Sequence, residues 1–443
     1  MPNRQEWVIA LVLSVSHGAQ HFFSRLIPPL IPVLVITLGM PLWKFGLLVS
    51  VYSLGAGFGQ TPMGILSDRH DRRYILPPGL AVLSFGYIVF GLAPSLGGGL
   101  PSLALAGHTF GGPFLVMNVA MAVSGVGASV THPTGYPLIS ENVSPERKGR
   151  ALGMWGSAAK VGDAAAPALI AVLILVLAWN QILLGLGVIG LAYSALLFVA
   201  LGSDQVETRP PEHASRAAER DEAERVDIWS ADKRVFLYPM LVILVFFITR
   251  MIATKGVNTF VPAFIVDVYG YSLHAFGLTL APESFANFYF SALLLTAAVV
   301  QLATGALTDR WDHRTVLLGF LVVTTLALGL LSFVTLGPLL LLVVLLVVGG
   351  GLWGLNPARD ALISDITPAE REGRTFGYLW TAAQIFGALS PVFIGYIAGV
   401  SGIQDSFKYL ALSTAAAAVA IALLYSKQVY VDAEAVEPAG AMD

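Results

Sequence analysis

The sequence predicts an all-α membrane protein with twelve transmembrane helices arranged as two pseudo-symmetric six-helix bundles. Three observations carry that expectation. Of 443 residues, 56% are hydrophobic and only 12% are charged, half the charge of an ordinary soluble domain, and the mean hydropathy is +0.74. The charge is also clustered, since 15 of the Asp, Glu, Lys and Arg residues fall between Ser203 and Arg234. Finally, the stretches on either side of that segment repeat one another.

At about 20 apolar residues per crossing, candidate spans lie at 7–38, 44–67, 74–95, 113–140, 151–177 and 180–202. A second set follows at 235–268, 283–307, 315–335, 338–364, 375–399 and 405–426. The first stretch is too long for the apolar core of a cleaved signal peptide and lacks a small-residue cleavage pattern, so it reads as a span. Residues 1–202 then form the N-terminal bundle, 203–234 a charged linker, 235–427 the second bundle and 428–443 a tail. Pro210-Pro211 and the run from Arg216 to Val226 suit a solvated tether with one short surface helix.

Lys and Arg concentrate in cytoplasmic loops. With the N-terminus inside, 19 of the 25 fall in inside loops, tails or the linker, Arg359 and Arg371 among them. Lys44 and Lys408 lie outside, and Arg25, Lys160, Arg250 and Lys255 fall within spans. The expectation is a multi-pass protein of the cytoplasmic membrane with both termini and the linker cytoplasmic. A net charge of −3 without a basic patch argues against a nucleic-acid partner. The absence of Cys excludes disulfides, thiolate metal sites and Cys nucleophiles. No Gly-x-x-x-x-Gly-Lys-Ser/Thr loop is present, so nothing points to ATP hydrolysis. We expect no enzyme activity, no cofactor, and a monomer in the lipid bilayer.

The repeat is specific. Gly64-Ile-Leu-Ser-Asp-Arg-His-Asp-Arg-Arg73 aligns with Gly305-Ala-Leu-Thr-Asp-Arg-Trp-Asp-His-Arg314 at an offset of 241. Ser129-Val-Thr-His-Pro133 aligns with Trp353-Gly-Leu-Asn-Pro357 at an offset of 224, as do Gly149-Arg150 with Gly373-Arg374 and Pro167 with Pro391. The first helix of each half aligns at 230, pairing Arg25 with Lys255 and Pro32 with Pro262. The changes of offset place insertions in two loops, Pro94 to Pro113 and Tyr271 to Pro282.

The loop from Gly64 to Arg73 and its echo resemble the signature loop of the major facilitator superfamily, and the resemblance spans nearly the whole chain. It implies a secondary transporter whose two bundles rock about a central site near the membrane midplane, driven by an ion gradient. It also implies that the loops latch the cytoplasmic side, with Gly64, Asp68, Arg69, Arg72, Arg73, Arg150, Gly305, Asp309, Arg310, Arg314 and Arg374 as gating residues. Asp68 is expected to accept from a helix N-terminus and to pair with Arg150, and Gly64 to allow close helix approach. Ser16-His17 and Gly125-x-Gly-x-Ser129-Val-x-His132-Pro133 are similar to the fosmidomycin-resistance exporters, although His21 and Lys160 stand where that group has an acidic and an amide residue.

Ionisable groups at bilayer depth are expensive and mark function by default. Arg25 lies some 27 Å along the first helix at about 1.5 Å per residue, with His17 and His21 two turns and one turn before it. The structural alternative is that the histidines knit this helix to its neighbours. Arg25 and Lys255, one per bundle at matching depth, are read as a clamp on an anion through a bidentate fork and a point charge. Arg250 joins the substrate set only if its helix is broken near Gly256 and Pro262; otherwise it pairs with helix-end carbonyls or an acidic group. Lys160 and Asp163 lie one turn apart, reading either as a static ion pair or as a proton carrier (Asp163) with a substrate-switching cation (Lys160). His132 is a second proton carrier, though its repeat partner Asn356 shows that a polar residue alone fits there.

The leading reading is thus a proton-coupled carrier of a small organic anion of carboxylate, phosphate or phosphonate type, as symporter or antiporter. Its substrate residues are Arg25, Lys255, Arg250, His21, His17 and Lys160, with Asp163 and His132 for the proton. The alternative is a proton-driven exporter of the fosmidomycin-resistance type. Divalent-metal transport through His17, His21 and His132 ranks last, since no Cys and no midplane carboxylate cluster accompany them, and a non-transporting receptor has no feature in its favour. No metal site is assigned.

Overall fold

The computed structural model describes residues 2–211, 233–275, 278–367 and 372–425, excepting the side chains of 2–4, 233–238, 273–275, 278 and 372–377. Most of the linker, the C-terminal tail, Arg371 and the side chain of Arg374 lie outside the described residues. Twelve helices in the described chain are long and apolar enough to cross a membrane: α1 (Gln5–Leu38), α2 (Leu42–Arg69), α3 (Arg72–Gly97), α4 (Gly112–Asn142), α5 (Pro145–Leu173) and α6 (Trp179–Ala200), followed by α7 (Pro239–Val268), α8 (Pro282–Thr308), α9 (His313–Phe333), α10 (Pro338–Ile366), α11 (Tyr378–Ser401) and α12 (Ile403–Leu423). The fifth begins six residues before the expected 151, because Pro145 in the first turn and Glu146 beside it both favour a helix start.

Three spans are broken by proline, and the breaks matter for function. Pro28 and Pro29 have no N–H for the carbonyls of Ser24 and Arg25, and α1 opens there. Arg25 N and Leu26 N bond back to Phe22 O and Phe23 O at 3.1 and 3.2 Å instead. Pro133 removes the donor to Ser129, and α4 turns between Ala128 and Thr131. Pro357 has the same effect in α10, which turns at Leu355. His132 and Asn356 therefore stand at equivalent breaks.

Both inserted loops are β hairpins: β1 (Leu103–Leu105) with β2 (His108–Phe110), and β3 (Leu273–Ala275) with β4 (Leu278–Leu280). The first turns at Ala106 and Gly107, both at positive φ as a two-residue hairpin demands. Lys44 Nζ, at the start of α2, holds this hairpin by donating to Thr109 O at 2.9 Å.

Packing divides the chain into two compact units, which do not follow the sequence halves. Unit 1 comprises Met1–Arg225 with Asn258–Leu295 and Pro391–Ile403; unit 2 comprises Val226–Val257, Thr296–Ser390 and Gln404–Asp443. Within unit 1, Asn287 Nδ2 of α8 donates to Pro29 O at 3.2 Å and Ser291 Oγ donates to Ala164 O at 2.7 Å. Unit 2 has a core of Phe246, Phe247 and Met251 from α7, Leu317 and Leu321 from α9, Leu355 and Leu362 from α10, and Ala417 and Ile421 from α12. Between apolar helices in lipid, close backbone approach supplies association because burial from water does not. In unit 1 that approach occurs where α1 crosses α5: a Cβ on Gly162 would run into the Gly18 carbonyl, and one on Gly18 would lie 3.0 Å from Ala158 O.

Candidate functional site

The Gly18–Gly162 crossing sets the surroundings of Asp163, next to Gly162, and of Arg25, about two turns beyond Gly18. It brings α1 and α5 close enough for Arg25 Nε to donate to Asp163 Oδ1 at 2.7 Å, while His21 Nδ1 meets the same oxygen at 3.1 Å. Asp163 is buried, at 4% exposure, and Arg25 sits in the α1 break that Pro28 and Pro29 create. A buried carboxylate needs such partners, because its desolvation is repaid only by good geometry and further hydrogen bonds. Lys160, one turn before Asp163, is half-buried and has an interaction of its own.

Around this pair three imidazoles gather. His17, His21 and His132 have ring centroids 4.7 Å (17 to 21), 5.0 Å (17 to 132) and 6.4 Å (21 to 132) apart. His17 Nδ1 donates to Trp155 O at 2.9 Å, and its ring stacks on Trp155 at 3.5 Å and 16°. Trp155, on α5, escapes any reading of the sequence because nothing distinguishes it from a core tryptophan before the crossing is known. Beside the cluster, Ser16 Oγ lies 2.8 Å from Tyr193 OH of α6. A neighbouring crevice of about 720 Å³ runs along α1, α3, α5 and α6 from Leu11 to Tyr193; no charged residue lines it, so it offers nothing to an anion.

Unit 2 contains the repeat-related positions with different chemistry. Lys255 is half-buried, and its stem passes Gly387, the partner of Asp163, where an added Cβ would lie 3.7 Å from Lys255 Cγ. Arg250 is 2% exposed and donates to Leu352 O at 2.6 Å and to Asn356 Oδ1 at 2.6 Å. It thus holds the broken end of α10, the helix-end pairing that was the alternative to a substrate role. Arg359 needs correction. It is not a loop cation but a buried residue of α10, because the helix resumes at Asn356 after its break. It pairs with Asp360 at 2.7 Å and lies 5.4 Å from the rings of both Phe247 and Trp380.

The profile of the Major Facilitator Superfamily matches residues 13–288 and 281–441. The chain belongs to the major facilitator superfamily. It is 28% identical over 165 residues to the probable L-galactonate transporter of Escherichia coli (strain K12), a match covering 37% of this chain and 31% of that protein. An uncharacterized MFS-type transporter of Bacillus subtilis (strain 168), YfnC, is 21% identical over 411 residues, covering 91% and 90%. The fold is also that of a bacterial homolog of the human lysosomal transporter Spinster in an inward-facing, occupied conformation. That likeness has a TM-score of 0.72 and 14% identity, covering 95% of this chain and 97% of the other. This superfamily member is a multi-pass membrane transporter and not an enzyme.

The signature loops of this superfamily transporter are built twice on one plan. Asp71 Oδ1 caps the turn after α2 by accepting from Arg73 N at 2.9 Å, and Asp312 Oδ1 caps α9 by accepting from Arg314 N at 2.8 Å. Arg73 Nε donates to Phe198 O at 3.0 Å with its guanidinium over the Phe198 ring, and an Arg314 terminal nitrogen donates to Leu424 O at 3.1 Å over the Tyr425 ring. Each arginine thus closes the carbonyl end of the sixth helix in its half, where the dipole favours a cation. Arg72 is buried and pairs with Glu141 while its Nε donates to Ser67 Oγ at 3.1 Å. At the repeat positions His313 Nδ1 meets Asp365 Oδ2 at 2.6 Å. The start of the linker docks here too, since Thr208 O accepts from Arg72 N at 2.9 Å.

Two expectations for these loops are corrected. Arg150 is exposed, and Asp68 forms no ion pair with it among the described residues, because Glu141 meets the cation of the loop at Arg72 instead. Gly64 does not bring helices together: an added Cβ would meet Pro133 Cβ at an ordinary 3.8 Å, and one on Gly305 would meet nothing. α2 approaches α4 closely at Gly55 instead, where an added Cβ would lie 2.8 Å from Ala122 O. Arg69, Asp309 and Arg310 are exposed.

Proposed function

We propose that this transporter carries a small organic anion through the cytoplasmic membrane by alternating access, coupled to protons. The observation that supports this most is the Arg25–Asp163 ion pair in the α1 break. A cation and a carboxylate at bilayer depth cost too much to be retained for packing alone, and an arginine fork matches a carboxylate two-point. Protonation of Asp163 releases the guanidinium, which then takes a substrate carboxylate in its place. Proton and anion are bound in the same state, so they move together. His21, on the same oxygen, is the group that passes the proton to Asp163, with His132 behind it. Lys160 steadies whichever anion occupies the site.

The substrate class follows from the same chemistry. A carboxylate suits the fork of Arg25, and one sequence relative bears the name of an L-galactonate transporter. Thermal unfolding of the purified protein with L-galactonate, D-gluconate, methylphosphonate, galactose and a cationic drug tests this reading. The sugar acids are expected to raise Tm in wild type and to have no effect in Arg25→Ala. An equal response to galactose, or an undiminished response in Arg25→Ala, overturns it.

A further inference from the structure

We propose that His17, His21 and His132 form a three-nitrogen binding site for a divalent transition-metal ion such as zinc. One ring nitrogen from each lies within 4.8 Å of the others. A tetrahedral zinc with Zn–N bonds of about 2.05 Å needs nitrogens about 3.3 Å apart, a closure that side-chain rotation supplies. Two helices contribute. His17 and His21 lie one turn apart on α1, and His132 projects from the α4 break that Pro133 creates.

The surroundings are those of metal ligands. A metal-bound histidine usually donates its other N–H to a carbonyl or a carboxylate, which fixes the tautomer and raises the basicity of the ligating nitrogen. His17 Nδ1 donates to Trp155 O at 2.9 Å, and His21 Nδ1 to Asp163 Oδ1 at 3.1 Å. Both bonds leave Nε2 with its lone pair. His17 is 3% exposed, and its Nε2 has no hydrogen-bond partner among the described residues. A buried acceptor left unsatisfied is costly, and a metal satisfies it. Trp155, stacked on His17, holds the ring plane and keeps water from one side.

The donor set selects the ion. Three neutral imidazoles without thiolate suit Zn²⁺, Co²⁺, Ni²⁺ or Cu²⁺ and disfavour Mg²⁺ and Ca²⁺, which take oxygen. Three protein ligands leave a fourth position for water or an anion. The cations nearby do not forbid occupation, because Arg25 is neutralised by Asp163 at 2.7 Å; Lys160 weakens the site without closing it.

Cobalt is the direct probe. Full-length protein carrying a tag without histidine is titrated with Co²⁺ in detergent, following the visible d–d bands, and Zn²⁺ is then added. The expected result is one Co²⁺ per chain with the intense bands of a four-coordinate site, displaced by Zn²⁺. His132→Asn, which installs the residue the repeat uses at Asn356, is expected to weaken binding at least about 100-fold, and Asp163→Asn by about 10–100-fold. His21→Gln provides a second ligand deletion, and metal-free unfolding identifies any variant that fails to fold. Weak bands of octahedral aqueous cobalt, or folded histidine variants that bind as wild type does, overturn the proposal and leave a hydrogen-bonded imidazole cluster. The titration requires no transport; a bound metal would occupy the imidazoles assigned above to the proton relay, so metal binding is measured separately from anion binding at Arg25.

Discussion

Arg25 Nε and Asp163 Oδ1 are 2.7 Å apart, joining the break in α1 to the buried middle of α5. The pair exists because two prolines open one helix and two glycines bring the other close. Removing one partner strands the other charge where water is scarce, at a cost of about 3–5 kcal/mol. Arg25→Ala and Asp163→Ala are each expected to lower stability by that order, and the double variant by clearly less than their sum. Unfolding free energies of the four proteins check this, and additive losses would show that the two groups do not interact.

The crossing of α1 and α5 should tolerate no side chain at its centre. Gly162→Ala puts a methyl group into the Gly18 carbonyl, and overpacking of this kind costs about 1–3 kcal/mol. Gly64→Ala, whose Cβ would make only an ordinary 3.8 Å contact with Pro133 Cβ, should be neutral. A matched pair of thermal unfolding curves distinguishes them, and equal shifts would contradict the close approach.

The two repeat-related loop pairs should differ in strength. Arg72 is buried against Glu141, so Glu141→Gln is expected to cost about 3–5 kcal/mol. His313 and Asp365 are more exposed, and Asp365→Asn should cost under about 1 kcal/mol. Denaturation of both variants at pH 7 measures the difference.

Acid should loosen the start of α9 through Asp312. Hydrogen bonds from Arg314 hold this carboxyl below its usual range. A depressed carboxylate stabilises the fold above its unfolded pKa of about 3.9, and the contribution is lost as pH falls through the lower folded value. Asp312→Asn keeps the capping oxygen and removes the charge, so its stability should change less than that of wild type between pH 5 and 3. Parallel curves would contradict the assignment.

Much of this was legible in the sequence for identifiable reasons. Apolar length marks spans, and a changing offset in the repeat located both hairpins. The prolines after Arg25 and before Thr134 signal breaks because a missing N–H is a local fact. The partners of buried cations were not legible: whether Arg250 meets Leu352 O or a ligand depends on how α7 meets α10, which no spacing encodes. The Arg72–Glu141 pair was missed although a signal existed. The offsets of 241 and 224 carry it onto His313 and Asp365, so that both columns keep a side-chain nitrogen facing a carboxylate.

The proposed coupling rests on Asp163 taking up the proton that frees Arg25 for an anion. Uptake of radiolabelled L-galactonate into proteoliposomes under an imposed inward proton gradient tests it most directly, compared with exchange in the absence of a gradient. The gradient is expected to accelerate wild-type uptake, and Asp163→Asn is expected to retain exchange without responding to the gradient. Wild-type uptake indifferent to the gradient, or a gradient response undiminished in Asp163→Asn, would contradict it.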